Sequence, residues 1–308
     1  MNKSFLIFAI ALIGFASCKK DKVVATTAPP APRLIFKFKF DSTQVRLNNL
    51  GAPATLPATH KAQSPKFNSM SAHYIEMAND GELLGGGSIL FNAPTTTAGG
   101  AAAIDFNQAV VVAEGQNFFS VPLSQVAAGT YKWLRVSLAY QNYDILYKST
   151  ALPGNQLGTG TIASFIGYNT YVTSYKIKTQ TVVPSAATGG PGDHKQGYWG
   201  FETTVAGTAY TSDSQSPAGA TTVVNPMPGS PIPAGSCVVT GQFVNTGGIT
   251  QNLTITGKET SDIVITVSLS TNNSFEWVSH SGGSYFQPAA GDTVVDMGIR
   301  GLIPFSNQ

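Results

Sequence analysis

Apolar and polar side chains alternate with period two through much of the chain, and the cleanest stretch comes early. Leu34, Phe36, Phe38 and Phe40 take one parity; Ile35, Lys37, Lys39 and Asp41 take the other. Successive side chains of a strand point to opposite faces, so this spacing predicts a strand with one apolar face. Ile263, Ile265, Val267 and Leu269 repeat the pattern near the other end. The longest extended run is residues 130–147, where Leu134, Val136, Leu138 and Tyr140 share one parity and Trp133, Arg135 and Ser137 the other. Bulky residues on both parities predict a central strand covered on both faces.

Shorter strands are expected at residues 71–77, 88–91, 109–113, 117–123, 197–202, 237–244, 251–257 and 274–278, and extended structure over 161–183. Turn signals separate them: Asn48-Asn49-Leu50-Gly51, Asn79-Asp80-Gly81, Ala128-Gly129, and the Gly/Pro stretches 185–193 and 225–236. The run Gly85-Gly86-Gly87 lacks the Lys-Ser/Thr pair and helix of a phosphate loop and reads as a turn. Beyond the first residues no long window carries helical spacing with caps, and residues 124–126 predict one turn at most. The fold class expected is all-β, an antiparallel β-sandwich or open barrel. Residues 33–308 are expected to form one domain, and the loop at 184–193 is where a division would fall.

The residues ahead of that domain set where it works. Lys3, an apolar run over residues 5–15 and then Phe15-Ala16-Ser17-Cys18 have the order of a secretory signal. The run falls well short of the roughly 20 residues that span a bilayer. The small residues before Cys18 resemble a bacterial lipobox, in which the cysteine becomes the lipidated first residue; the alternative is an ordinary signal ending near a cysteine. Residues 1–17 are thus expected to be a signal peptide and 18–32 a lipidated tether, extended by its prolines. The charged residues after Cys18 are similar to those of Bacteroidetes-type surface lipoproteins. A lipid anchor in the outer membrane or at the cell surface is the expected address, with the membrane as one partner.

Composition narrows the rest. Charged residues are 11% of the chain, against about 25% for an average domain. With 17 Phe, 11 Tyr and 42% hydrophobic residues, this is a chain that builds a core and is not disordered. No Lys/Arg cluster of five or more accompanies the net charge of +2, so the footprint of a nucleic-acid binder is missing. The two cysteines are Cys18 and Cys237. Lipidation of Cys18 leaves Cys237 without a disulfide, and its setting in Ser236-Cys237-Val238-Val239 predicts a small buried hydrophobe.

Candidate chemistry is sparse. The motifs G-x-S-x-G, H-E-x-x-H and C-x-x-C are absent, and no enzyme is expected. Glu202, Glu276, Asp292 and Asp296 are available as carboxylates for a hydrolase or for calcium, but no spacing selects a pair. Trp199 and Trp277 sit beside Glu202 and Glu276 in similar aromatic runs. They offer a stacking platform for a sugar; the alternative is that both rings fill the core. Imidazole is the common ligand of copper and zinc, and loops of a sandwich gather at its poles. His60, His73 and His194 are therefore expected to converge on a transition metal, with His280 as a substitute.

One resemblance bears on that site. Leu34-Ile35-Phe36-Lys37-Phe38, the Asn49-Leu50-Gly51 turn, Ser71-Ala72-His73-Tyr74-Ile75-Glu76, Val126-Ala127-Ala128-Gly129-Thr130-Tyr131 and Gln196-Gly197-Tyr198-Trp199-Gly200-Phe201-Glu202 follow one another in this chain. Their order resembles that of the MbnP-like family of periplasmic and surface copper-binding lipoproteins. Residues 161–183 and 216–236 have no counterpart in it. The resemblance implies an all-β fold, copper held by histidines and, in some members, an oxidised tryptophan made by a dihaem enzyme partner. Two functions follow as expectations: a copper-handling surface lipoprotein, or a metal-free one that binds a glycan or a neighbouring envelope protein.

Overall fold

The computed structural model describes residues 30–79, 86–149, 156–216 and 232–308. The signal, Cys18, most of the tether, Asp80-Gly81, Gly85 and most of the 225–236 stretch lie outside them. Residues Ala31–Gln308 form one compact unit that contains every buried core residue among those described, as a domain that can fold by itself does.

Two sheets pack face to face. In the first, β1 (Arg33–Asp41) lies between β7 (Asn117–Pro122) and β20 (Ile263–Ser270), followed by β23 (Leu302–Ser306) and β18 (Val244–Asn245). The second runs β16 (Thr208–Gln215), β15 (Tyr198–Val205), β10 (Leu157–Phe165), β9 (Trp133–Lys148), β3 (Lys66–Ala78), β4 (Ser88–Asn92), with β17 (Cys237–Gln242) also paired to β9. Smaller sheets flank them. One is β14 (Gly192–Lys195), β11 (Asn169–Val172), β6 (Ala103–Asp105) and β5 (Thr95–Thr96); another is β2 (His60–Gln63), β21 (Phe275–Val278) and β22 (Thr293–Asp296). Two short pairs complete the set: β8 (Gly129–Tyr131) with β19 (Leu253–Ile255), and β12 (Tyr175–Lys176) with β13 (Thr181–Val182). Among the described residues helix is confined to three-residue 3-10 turns, one of them at Leu123–Gln125.

The alternation read from the sequence is what makes the core. Leu34, Phe36 and Phe38 of β1 and the four apolar residues of β20 are buried against Met70, Ile75, Leu134, Val136 and Val239 of the facing sheet. Each such side chain contributes roughly 1.5–3 kcal/mol on burial. Phe40 ends the row half-buried, its ring 5.2 Å from Phe67. The pairing is mostly antiparallel, but β1 runs parallel to β20, in register from Leu34–Ile263 to Asp41–Ser270.

Several local expectations are corrected. Tyr140 does not share a face with Leu138. Between the pairs Ser71–Tyr140 and Ala72–Leu138, β9 carries one extra residue, Ala139. A bulge of one residue inverts every side chain beyond it. Tyr140 thus joins Phe165, Tyr175 and Tyr198 in a second cluster, while Tyr143 and Ile145 turn into the main core. On β3 the compensating extra residue is His73, between Ala72 and Tyr74. The stretch 109–113 forms no strand; Val112 only bridges Met70 through two backbone bonds of 2.9 and 3.0 Å. The extended reading of 161–183 breaks into the end of β10, then β11, β12 and β13.

Gly87 shows why its glycine run needs no ligand. A Cβ there would stand 2.3 Å from the Met77 carbonyl oxygen, and its N–H donates to Glu76 Oε1 at 2.9 Å. That carboxylate is buried and pairs with Arg135 at 3.0 Å.

Candidate functional site: an aromatic groove beside β15 and β16

The hairpin of β15 and β16 builds the site. Period two puts Trp199, Phe201 and Thr203 on one face of β15, and their cross-strand partners Ser214, Ser212 and Tyr210 share it. The row continues through Ile162 of β10, opposite Phe201, to Ile145 of β9. Phe201 lies directly over Gly160, where a Cβ would meet the ring at 2.1 Å, and its ring contacts Tyr147 edge-on at 5.4 Å. Tyr147 donates its hydroxyl proton to Thr203 Oγ1 at 2.9 Å, which fixes this part of the floor.

The opposing wall comes from β21, β22, the loop between them and the residue after β22: Phe275, Phe286, Pro288, Val294 and Met297. Phe286 packs on Phe275 at 5.3 Å, and its carbonyl accepts the Lys148 N–H at 2.8 Å, which ties the loop to the end of β9. Asp292 holds the loop shut from inside. Its carboxylate accepts from the backbone N–H of His280, Ser281 and Gln287 at 2.7–2.9 Å and from the Ser281 hydroxyl at 3.1 Å. Burial pushes that carboxyl up, but these donors outweigh it and keep it below its ordinary value.

Between floor and wall lies a groove of about 750 Å³. Asp292 is the one charged side chain among its described lining residues, and its oxygens are already taken. Tyr210, Ser212 and Ser214 stand at the open edge, where their hydroxyls make no hydrogen bond to another described residue. Trp199 is half-buried and lines the groove. Trp277 is fully buried beside Phe275 and Phe286 and presents no face to a ligand. Tyr210, Ser212, Ser214, Phe286 and Val294 carried no sequence signal, because β16 is mostly polar and β22 is short.

The expected histidine site is not formed among the described residues. His60, His73 and His194 sit in strands of three different sheets, each with its own partner. His60 Nδ1 lies 2.9 Å from Glu276 Oε2. His73, on its bulge, is buried with Nε2 2.7 Å from Ser137 Oγ, and burial pushes its pKa down to about 3. His194 donates from Nε2 to the Gly190 carbonyl at 3.0 Å and stacks on Tyr198 at 4.0 Å; burial lowers its pKa too. His280 is exposed. No group of three or more His, Cys, Asp or Glu is placed to hold a metal ion among the described residues. Pole loops would have gathered them; strand positions keep them apart.

The remaining carboxylates hold the fold. Glu202 accepts the backbone N–H groups of Lys178, Thr179 and Gln180 at 2.8–3.1 Å and so closes the turn between β12 and β13. Glu276 binds Arg46 at 2.7 Å and also Arg300, which reaches Asp296 at 3.0 Å. Burial raises the Glu276 carboxyl, but Arg300, His60 and Arg46 outweigh it, and it stays below its ordinary value. Cys237 is buried on β17, and burial pushes its thiol far up.

No family model matches the chain, and no curated protein or solved structure matches it either.

Proposed function

We propose that the protein is a lipid-anchored lipoprotein of the outer membrane or cell surface whose groove binds an uncharged ligand against Trp199. The lipobox-like residues 15–18 support the anchor, and the groove supports the binding role. The observation that carries it is the groove's chemistry: a volume within the roughly 300–1,000 Å³ of small-molecule sites, aromatic lining and, among the described lining residues, no uncommitted charge. The four carboxylates discussed above are all held by structural donors, so the groove reads as a place to hold a molecule, with no free acid and base facing each other across it. Copper has no comparable support among the described residues.

The test of binding uses N-phenyl-1-naphthylamine, an uncharged apolar fluorophore, with the Ala31–Gln308 unit. Saturable fluorescence enhancement at one site is expected, weakened about ten-fold in Trp199→Ala by loss of the aromatic contact. Absence of saturable binding contradicts the proposal. The anchor is tested separately by mass spectrometry of the mature N-terminus. Diacylglycerol on Cys18 is expected, and an unmodified terminus beyond it overturns that part.

A further inference from the structure

Among the described lining residues the uncommitted hydroxyls gather at one side of the groove, and their placement names a class of ligand. The hydroxyls of Tyr210, Ser212 and Ser214 lie together on β16, at the open edge of the sheet. In the wall facing them Phe286, Val294 and Met297 are apolar, the Asp292 carboxylate is engaged by its own loop, and the Thr293 hydroxyl donates to the Gly291 carbonyl at 3.3 Å. The floor between presents Ile145, Ile162 and the Trp199 ring, and its Thr203 hydroxyl is already engaged by the Tyr147 hydroxyl and the Thr159 carbonyl. We infer that the groove takes a neutral amphiphile: an acyl or fused-ring body against the floor and apolar wall, with an uncharged hydroxyl or amide head at the β16 edge. This rests on the binding role proposed above and goes further by choosing among uncharged ligands.

Desolvation makes the choice. A hydroxyl buried without a partner loses its water and gains nothing. A free sugar carries hydroxyls around its whole ring, so those turned to Phe286 and Val294 would go unpaired. An amphiphile confines its polar atoms to one end and avoids that cost. A charged head meets the opposite problem. The Asp292 carboxylate repels an anion, and its oxygens are already engaged by the loop that it closes, so a cation finds no free counter-charge. The regular eight-residue pairing of β15 with β16 keeps the two serines on one face, so both can address the same head group.

Competition against bound N-phenyl-1-naphthylamine tests the inference, using octyl glucoside below its micelle-forming concentration, free glucose and octanoate at pH 7. Octyl glucoside should displace the probe. Glucose should fail at concentrations about a hundred-fold higher, and octanoate should act at least about ten-fold more weakly, from the desolvation of its charge. The double variant Ser212→Ala, Ser214→Ala changes an exposed strand and leaves the core alone. It should weaken octyl glucoside about ten-fold, as expected for two lost hydrogen bonds, while probe binding changes less than about two-fold. Displacement by glucose as effective as by octyl glucoside, octanoate equal to octyl glucoside, or a double variant that leaves octyl glucoside unaffected overturns the amphiphile. Failure of the probe itself to bind instead overturns the binding role on which it rests.

Discussion

His73 makes the protein sensitive to mild acid, and the size of the effect can be worked from its surroundings. The imidazole occupies the bulge of β3, buried, with Nε2 on Ser137 Oγ and the Tyr168 ring edge-on at 5.7 Å. Burial disfavours the imidazolium and brings the pKa down to about 3, from 6.5 in an unstructured chain. Above pH 6.5 neither state binds the proton, and stability is at its full value. As pH falls below 6.5 the unfolded chain takes up a proton that the folded one refuses, so stability drops until the folded pKa is reached. Linkage puts the loss between pH 7.5 and pH 5 at about 2 kcal/mol from this residue alone. His194 is shifted in the same direction, so the wild-type slope carries both residues and His73 is read by difference. The perturbation is His73→Leu, similar in bulk and unable to titrate. Ser137 Oγ keeps the Cys237 carbonyl at 3.3 Å as an acceptor. Urea unfolding of the Ala31–Gln308 unit at pH 7.5, 6.5, 5.5 and 5.0 should show the variant losing about 2 kcal/mol less than wild type across that range. Equal losses in the two proteins would refute the reasoning, since no buried neutral histidine could then be at work there.

Other outcomes follow from the same packing. Glu276→Gln leaves the half-buried Arg46 and the buried Arg300 short of their shared anion and should cost about 3–5 kcal/mol in urea unfolding; an unchanged midpoint would contradict the ion cluster. Ala206 holds φ +49° beside Gly207 at +82° in the two-residue turn between β15 and β16, where Asn-Gly is favoured. Ala206→Asn should therefore raise stability by about 1 kcal/mol, and a lower thermal midpoint would count against this turn geometry. Cys237 should resist a thiol reagent in the native protein and react once urea unfolds it; rapid native labelling would show that β17 is not buried as described.

The all-β architecture was legible because alternation on β1 and β20 directly encodes two buried faces. What stayed hidden has physical causes. The bulges at Ala139 and His73 leave no mark, since Leu134 to Tyr140 alternates on paper whether or not a residue is inserted in the ladder. The strand Thr208–Gln215 carries hydroxyls at 208, 210, 212 and 214 and a mixed, mostly polar set between them, so it lacks the apolar face of strands that border the core. Trp199 and Trp277 sit in near-identical aromatic runs, yet one lines the groove and the other is core, because β15 lies next to the edge of its sheet whereas β21 is enclosed by β2, β22 and Phe286. The grouping of the histidines takes His60 and His194 from loops and His73 from the start of a strand near one pole; backbone pairing puts all three in strands of different sheets.

The central claim is that a ligand lies against Trp199, and the chain's three tryptophans let one spectrum test it. In a ¹⁵N-labelled Ala31–Gln308 unit each indole N–H gives its own signal, assigned by single Trp→Phe variants. Addition of N-phenyl-1-naphthylamine should move the Trp199 signal most, that of buried Trp277 less, and leave Trp133 in place. A titration in which no indole moves, or in which Trp133 alone responds, would contradict a binding site in the groove.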